Sequence, residues 1–201
     1  MKKVGIMGGT FNPIHNSHLA MAQDALEQFS LDEILFIPSG TPYCKDVSKV
    51  LPGSIRYDMC QLAIKDNPSF RISDIEILRE GNTYSYETIA ELKRLHPDVQ
   101  YYFIVGADSL FYMEKWYHPE RIFGEVVVLV AVRDEKKEEQ VLSKIEELKT
   151  KFTGEIYLLK TQANSLSSTY LRDCVKEGKS IQYYVPNSVK KYIQDHSLYQ
   201  N

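Results

Sequence analysis

Short apolar runs alternate along this sequence with segments whose apolar residues recur every three or four positions. The runs at 4–7, 34–37 and 126–132 show no polar alternation, which is typical of strands buried on both faces. Stretches long enough for a helix separate successive runs, so the strands are expected to lie parallel. The pattern predicts the α/β class, with a mostly parallel sheet, helices on both faces and one Rossmann-like domain over residues 1–201.

The other periodic segments give the order of the elements. Helices are predicted around the stripes Leu19-Ala22-Leu26-Phe29, Ile55-Met59-Leu62 and Val141-Ile145-Leu148-Phe152, and over 85–95, 168–176 and 187–196. Further strands are predicted at 72–77, 101–105 and 156–159, and a polar loop rich in proline and glycine at 39–53. In a sheet of this kind, ligands bind beyond the carboxyl ends of the strands.

Charge and cysteine content restrict the partners of the chain. The formal net charge is −3, whereas non-specific binding to nucleic acid or to a membrane surface needs a clustered basic surface. The apolar run at 4–7 is too short for an export signal, and we find no stretch long enough to span a bilayer. Cys44, Cys60 and Cys174 are widely spaced, which argues against disulfides or a zinc site. We therefore expect a cytoplasmic protein without nucleic-acid or membrane partners.

The most specific local motif joins the first predicted strand to the first helix. It reads Gly-Gly-Thr-Phe-Asn-Pro-Ile-His-Asn-Ser-His at 8–18. Gly8 and Gly9 remove side chains where the backbone turns, so phosphates could approach main-chain N–H groups, and the helix N-terminus adds donors and partial positive charge. His15 and His18 are three positions apart, so both can face one side of the first turn and donate to phosphate oxygens. The motif indicates a polyphosphate site.

Simpler explanations of these residues remain open from the sequence alone. A glycine pair after a strand is often a tight turn, and a single histidine at a helix start is often a surface or capping residue. The spacing Gly5-x-x-Gly8-Gly9 does not fit the dinucleotide fingerprint G-x-G-x-x-G, and the sequence has no P-loop. A zinc site at His15 and His18 would need further ligands that the spacing does not offer.

A second motif, Leu-Ser-Ser-Thr-Tyr-Leu-Arg at 166–172, precedes a late helix. Ser167 or Ser168 is a suitable N-cap, and the hydroxyls with the free N–H groups of the helix start form a second anion site. Arg172 lies one turn into the helix and offers a planar positive fork to phosphate. Alone this segment could be an ordinary capped helix, but two such sites in one short α/β chain are more specific than either alone.

Together the two motifs resemble the signatures of the H-x-G-H nucleotidyltransferase superfamily, which uses ATP without a covalent enzyme intermediate. Over nearly its whole length the sequence is similar to the bacterial nicotinate-nucleotide adenylyltransferase family within it. The further matches are Ile37-Pro38 with Pro42 and Lys45, Arg56-x-x-Met59 with Ala63, residues 83–88, residues 104–108, Lys115-Trp116-Tyr117 and residues 187–198.

The resemblance implies a role for each matched residue. His15, His18 and Arg172 are the expected catalytic residues. The expected ATP-binding residues are Gly8, Gly9, Thr10, Phe11, His18, Gly106, Asp108, Arg133, Ser167, Ser168, Thr169 and Arg172, and the expected mononucleotide-binding residues are Lys45, Thr83, Trp116 and Tyr117. The sequence alone explains several of them without a ligand, since Asp108 could be a helix N-cap, Trp116 a core residue, and Lys45 and Arg133 surface cations.

The implied reaction transfers the adenylyl group of ATP to nicotinate mononucleotide in NAD biosynthesis. Mg²⁺ is expected to arrive with ATP, held by phosphate and water rather than by a protein metal site. Self-association is compatible with the resemblance. Alternatives are adenylyl transfer to nicotinamide mononucleotide or another small phosphorylated substrate such as phosphopantetheine, a non-catalytic nucleotide-binding domain, and a fragment of an aminoacyl-tRNA synthetase.

Three positions depart from the pattern of the family. Asn12 stands where the family usually has Asp, Ser17 where H-x-G-H has Gly, and Cys44 where the family usually has His. We expect the Ser17 side chain to hinder the close approach of ATP, and Cys44 to remove a donor near the mononucleotide. Asn12 keeps the hydrogen-bonding capacity of Asp without its charge.

Overall fold

The computed structural model describes residues 1–42, 49–132, 135–163 and 166–200. Lys45 and Arg133, expected to contact ligand, and Cys44 lie outside these ranges. The strands are β1 (Lys2–Gly9), β2 (Glu33–Pro38), β3 (Thr41–Pro42), β4 (Phe70–Ile72), β5 (Asn82–Thr83), β6 (Val99–Gly106), β7 (Val127–Val132) and β8 (Ile156–Lys160). The helices are α1 (Asn16–Gln28), α2 (Gly53–Ile64), α3 (Ser85–Leu95), α4 (Ala107–Met113), α5 (Pro119–Glu125), α6 (Glu135–Lys151), α7 (Ser168–Lys176) and α8 (Asn187–Asp195).

One parallel sheet organises the described part of the chain. Its six strands lie in the order β4-β2-β1-β6-β7-β8, and every neighbouring pair is parallel. Two short strands, β3 and β5, form a separate parallel pair beside it. The predicted α/β class and parallel sheet are confirmed.

Helices cover both faces of the sheet because alternate strand residues point to opposite sides. Along β7, Leu129 and Ala131 join a first core with α1, α2, α7 and α8, whereas Val128 and Val130 join a second core with α3, α4, α5 and α6. All six residues of β7 are buried, as expected of a central strand covered on both faces.

The strand order creates a crevice next to β1. The chain runs from β1 to β2 and β4 on one side, and then returns to the other side of β1 to form β6. The two outgoing connections diverge at this point, so the carboxyl ends of β1 and β6 border an open space. Gly9 and Gly106 lie at these ends.

Several features of the fold differ from the sequence prediction. The strand predicted at 72–77 was misplaced, since β4 spans Phe70–Ile72, pairs with β2 over these three residues and shares only Ile72 with the predicted range. Ile75 instead packs against the second core from a turn. The seven-residue helices α4 and α5 were not predicted, since each is too short for a clear periodicity. No helix within the described ranges is long and apolar enough to cross a membrane.

Candidate active site

The loop from β1 to α1 takes a fixed path through the first core. Phe11 is 2% exposed and has a positive φ of 47°, which is uncommon for a bulky residue, and the Asn12–Pro13 peptide bond is cis. His15 is the N-cap of α1 with an extended backbone. We call residues 8–18 the catalytic turn.

The two histidines of the catalytic turn form a stacked pair. Their ring centroids are 3.6 Å apart with an interplanar angle of 19°, and Phe11 meets the His18 ring edge-on at 5.0 Å. The His15 main-chain N–H donates to His18 Nδ1 at 3.3 Å. Because Nδ1 accepts, the neutral His18 ring carries its proton on Nε2, where it can donate to a ligand. His15 is 2% exposed and lies behind His18.

The start of α7 contacts the catalytic turn directly. Ser168 Oγ donates to the Pro13 carbonyl at 2.8 Å, and Arg172 Nη1 donates to the Asn12 carbonyl at 2.9 Å. Ser167 is the N-cap of α7, since its Oγ accepts from the Tyr170 N–H at 3.2 Å. The two motifs predicted from opposite ends of the sequence are therefore in contact.

A cleft of about 510 Å³, which we call the polar cleft, lies between the catalytic turn and α7. It is lined by Gly9, Thr10, Phe11, Asn12, His18, Lys49, Val50, Ser167, Ser168, Thr169 and Arg172. Among the described residues this lining contains a lysine, an arginine and a histidine but no acidic side chain. With the free N–H groups at the start of α7, the polar cleft is suited to an anion.

A second cavity of about 250 Å³, the apolar cavity, lies on the other side of Gly9 and Thr10. Ile6, Ile37, Ile89, Phe103 and Trp116 give it apolar walls. Thr83 and Ser85 add hydroxyls, so the cavity is suited to a flat heterocycle with a few polar substituents. Both cavities are lined by Gly9 and Thr10, so a ligand in one could react with a ligand in the other.

Trp116 and Tyr117 have different environments although they are adjacent. Trp116 lines the apolar cavity and packs edge-on against Phe103, with ring centroids 6.3 Å apart. The Tyr117 side chain is 55% exposed, lies 4.6 Å from the Tyr84 ring between centroids, and is not part of the cavity lining in the described residues. A contact between Tyr117 and a ligand would therefore use its main chain.

Glu76 is a residue of the apolar cavity that the sequence analysis missed. Thr88 Oγ1 donates to its carboxylate at 2.8 Å. Burial raises the pKa of Glu76, opposed by hydrogen bonds from Thr88, Thr83 and the Gly40 N–H and by the charge of Arg79. Its position between two isoleucines, in Asp-Ile-Glu-Ile at 74–77, was the available signal.

Arg56 contacts the wall that the two cavities share, and it was not predicted as a site residue. It is 2% exposed, and burial lowers its pKa. Its guanidinium donates to three carbonyls, those of Leu51 at 2.8 Å, Thr10 at 2.8 Å and Gly40 at 3.1 Å. Thr10 lines both cavities, so Arg56 holds their common wall from behind.

Other expected residues lie near the crevice without lining either cavity. Gly106 ends β6, and a Cβ at this position would meet nothing within 4 Å, so the space beyond the strand is open. Asp108 is exposed in the first turn of α4. Ser17, expected to hinder the close approach of ATP, is 3% exposed and does not line the polar cleft, so the structure gives this expectation no support.

The sequence is similar to known proteins over nearly its whole length. The sequence profile of the cytidylyltransferase-like family matches residues 6–174. A protein of Lachnoclostridium phytofermentans named "Probable nicotinate-nucleotide adenylyltransferase" is 48% identical, over 99% of this chain and 100% of its own length. A protein of the same name from Clostridium botulinum strain Hall is 40% identical over 96% of this chain and 97% of its own.

Solved structures with low sequence identity have the same fold. Nicotinic acid mononucleotide adenylyltransferase of Plasmodium falciparum complexed with NaAD superposes with a TM-score of 0.81 at 22% identity, covering 99% of this chain and 98% of that one. The same enzyme complexed with APC gives a TM-score of 0.79 at 21% identity and the same coverage.

Proposed function

Since this chain belongs to the nicotinate-nucleotide adenylyltransferase family of cytidylyltransferase-like proteins, we propose that it transfers the adenylyl group of ATP to nicotinate mononucleotide. The products are nicotinate adenine dinucleotide and pyrophosphate. The enzyme acts in NAD biosynthesis, and its substrates are nucleotides.

The observation that carries the proposal is the contact between the catalytic turn and α7. Arg172 and Ser168 bond to main-chain carbonyls of the catalytic turn, 160 and 155 positions away in sequence. This contact brings His18, Arg172 and the N-terminus of α7 to one cleft that lacks acidic side chains in its described lining. A triphosphate carries several negative charges and many acceptor oxygens, so it is bound best where several donors and positive charges meet in one such cleft.

In the proposed reaction, ATP phosphates occupy the polar cleft and the pyridine ring occupies the apolar cavity. The 5′-phosphate of the mononucleotide then approaches past Gly9 and Thr10, where the two cavities meet. An oxygen of this phosphate forms a bond to the α-phosphorus of ATP. The bond between the α-phosphorus and the oxygen that bridges the α- and β-phosphates breaks, and pyrophosphate leaves. The attacking phosphate is already ionised at neutral pH, so no general base is required, and catalysis consists of positioning and charge stabilisation.

The donors of the polar cleft fit these steps. His18 Nε2–H would donate to an oxygen of the α-phosphate as its charge develops, and His15 would hold the His18 ring in place. Arg172 and the α7 N-terminus would bind the β- and γ-phosphates and then the departing pyrophosphate. Gly106 at the end of β6 and Asp108 in the first turn of α4 are the proposed contacts for the ATP nucleoside.

Magnesium enters the reaction as part of the ATP substrate. In the described ranges no group of three or more His, Cys, Asp or Glu side chains could hold a metal ion. We propose that Mg²⁺ is held by phosphate oxygens and water, as is usual for this ion when it accompanies a nucleotide. A cytoplasmic location, a single domain over residues 1–201 and self-association stay part of the proposal.

The Glu76 carboxyl group is a reason to test nicotinamide mononucleotide beside nicotinate mononucleotide. A charged carboxylate in the apolar cavity would repel the carboxylate of nicotinate, whereas nicotinamide mononucleotide carries no such charge. Burial raises the pKa of Glu76, which favours its neutral form and reduces this repulsion, so the acid remains the expected substrate.

Pyrophosphate release with magnesium-ATP tests the proposal. The assay compares nicotinate mononucleotide, nicotinamide mononucleotide and phosphopantetheine at equal concentration. We expect fastest release with nicotinate mononucleotide. Preference for the amide would overturn the specificity, and ATP binding without pyrophosphate release from any acceptor would identify a non-catalytic nucleotide-binding domain.

A further inference from the structure

The residues that follow α8 turn the chain back towards the sheet. Ser197 and Tyr199 have positive φ values of 49° and 63°, and the Leu198 N–H bonds to the Ile193 carbonyl at 3.0 Å. Leu198 is buried in the first core, and the Tyr199 ring packs against it. Non-glycine residues adopt this backbone region where their surroundings fix them, so the turn directs the Tyr199 side chain to a defined place.

That place is the catalytic turn. The Tyr199 hydroxyl donates to Asn12 Oδ1 at 2.9 Å, across 187 positions of sequence. Asn12 is 4% exposed; its Nδ2 donates to the Lys49 carbonyl at 3.0 Å and its Oδ1 also accepts from the Leu51 N–H at 3.4 Å. The Asn12 side chain is therefore held at both ends.

The main chain of the same residue carries the contact to α7. The Asn12 carbonyl accepts from Arg172 Nη1 at 2.9 Å, and Arg172 Nη2 donates to Thr169 Oγ1 at 3.1 Å. A side chain fixed at both ends limits rotation of the whole residue and therefore the direction of its carbonyl. Tyr199 consequently influences where the Arg172 guanidinium lies in the polar cleft.

The Tyr199 hydroxyl acts as a neutral donor. Burial raises the pKa of this phenol, although the positive charges of Arg172 and Arg56 oppose the shift. The group therefore stays protonated throughout the neutral range and keeps donating to Asn12.

We propose that Tyr199 is a positioning residue for adenylyl transfer, whose hydroxyl acts through Asn12 on the catalytic turn and on Arg172. This inference rests on the proposed function. A buried tyrosine also needs a hydrogen-bond partner for stability alone, so the test has to separate positioning from simple satisfaction of the hydroxyl.

Tyr192 provides a matched control. It lies on α8, packs against the same core, and its hydroxyl donates to Asp58 Oδ2 on α2, also at 2.9 Å. Tyr199→Phe and Tyr192→Phe each remove one hydroxyl of this kind and keep the ring. A purely structural role predicts the same behaviour for both variants.

The experiment measures pyrophosphate release with magnesium-ATP and nicotinate mononucleotide, melting temperature, and calorimetric binding of α,β-methylene-ATP. We expect Tyr199→Phe to lower kcat about five- to tenfold, as follows from one lost hydrogen bond that orients a charged donor. Its KM for the mononucleotide stays unchanged, and its affinity for the ATP analogue falls. Tyr192→Phe keeps wild-type kinetics and binding, with a similar change in melting temperature.

A double variant tests the route through Asn12. If Tyr199 acts through Asn12, adding Tyr199→Phe to Asn12→Ala lowers kcat no further, whereas multiplicative losses would overturn this route. Equal kcat and equal analogue affinity of Tyr199→Phe and Tyr192→Phe would overturn the positioning role. Wild-type protein without any pyrophosphate release would refute the proposed function instead, and the analogue titration would then still decide whether Tyr199 shapes the polar cleft.

Discussion

The polar cleft and the apolar cavity share Gly9 and Thr10 but recognise ligands by opposite physical means. The polar cleft consists of main-chain N–H groups, hydroxyls and cations brought together from the two ends of the sequence. The apolar cavity consists of isoleucines, two aromatic side chains and a few hydroxyls around the Glu76 carboxyl group. Interactions with developing charge affect the rate of the chemical step, whereas shape affects which substrate binds. Substitutions in the two regions should therefore change different kinetic constants.

His18→Ala should give the largest effect, because it removes the donor that faces the polar cleft. We expect kcat to fall by about 10²–10³ with the fold retained, the usual result of losing one charge-stabilising donor. Steady-state pyrophosphate release and circular dichroism measure both properties. His96→Ala, at the exposed C-cap of α3, is the control and should behave as wild type. Near-wild-type turnover of His18→Ala would remove His18 from the mechanism.

Arg172→Lys should come next, because lysine keeps the charge and loses the planar fork that bonds Asn12 and Thr169 together. Loss of one charge-assisted bond predicts a fall in kcat/KM for ATP of about ten- to a hundredfold, with KM for the mononucleotide unchanged. Arg71→Lys is the control, since Arg71 is exposed and also donates to main-chain carbonyls. A larger change in the kinetic constants for the mononucleotide than in those for ATP would contradict the assignment of the two substrates to different regions.

Gly40→Ala should affect the apolar cavity instead. A Cβ at Gly40 would lie 2.1 Å from the Glu76 carbonyl oxygen and 2.7 Å from Thr83 Cγ2, so the wall carrying Thr83 must move. Overpacking of this kind destabilises by about 1–3 kcal/mol, measurable by urea unfolding, and should raise KM for the mononucleotide while leaving the ATP-analogue affinity unchanged. Gly124→Ala, where a Cβ meets nothing within 4 Å, controls for the loss of glycine. An unchanged mononucleotide KM would place the pyridine elsewhere.

The smallest expected effect is a pH dependence of stability from Glu76. Burial raises its folded pKa above the unfolded value, so the folded state binds the proton more tightly. The free energy of unfolding should therefore fall as pH rises from the unfolded pKa through the folded pKa, a component that Glu76→Gln lacks. Unfolding of both proteins from pH 4 to pH 7 measures it, and the exposed carboxylates common to both cancel. Parallel profiles would show that Glu76 does not titrate in this range.

The sequence predicted the polar cleft better than the apolar cavity. Both halves of the cleft are contiguous motifs, and His18 and Arg172 are found in the cleft that their motifs indicated. Arg56 and Tyr199 were missed because each acts by contacts to residues far away in sequence, and Glu76 because its one local signal, a carboxylate between two isoleucines, was not used. Arg56 was noted only as part of a match to the family, although it is buried against three carbonyls.

The long buried strands were also predicted better than the short elements. The strands β1, β2, β6 and β7 were recognised because burial on both faces leaves an uninterrupted apolar run. The short elements α4, α5, β3 and β5 have between two and seven residues, so their sequences carry little periodicity. The burial of Ser17 could not be predicted from the sequence either, since only the packing of α1 shows it.

The contact between α7 and the catalytic turn has a consequence for synthesis of the protein on the ribosome. All strands of the main sheet precede α7, so a nascent chain can complete the sheet before Ser168 and Arg172 have emerged. Such a chain would already contain the wall residues of the apolar cavity but not the donors of α7. Products of premature termination upstream of α7 would therefore lack both the α7 donors of the polar cleft and two helices of the first core, and would have no adenylyl-transfer activity.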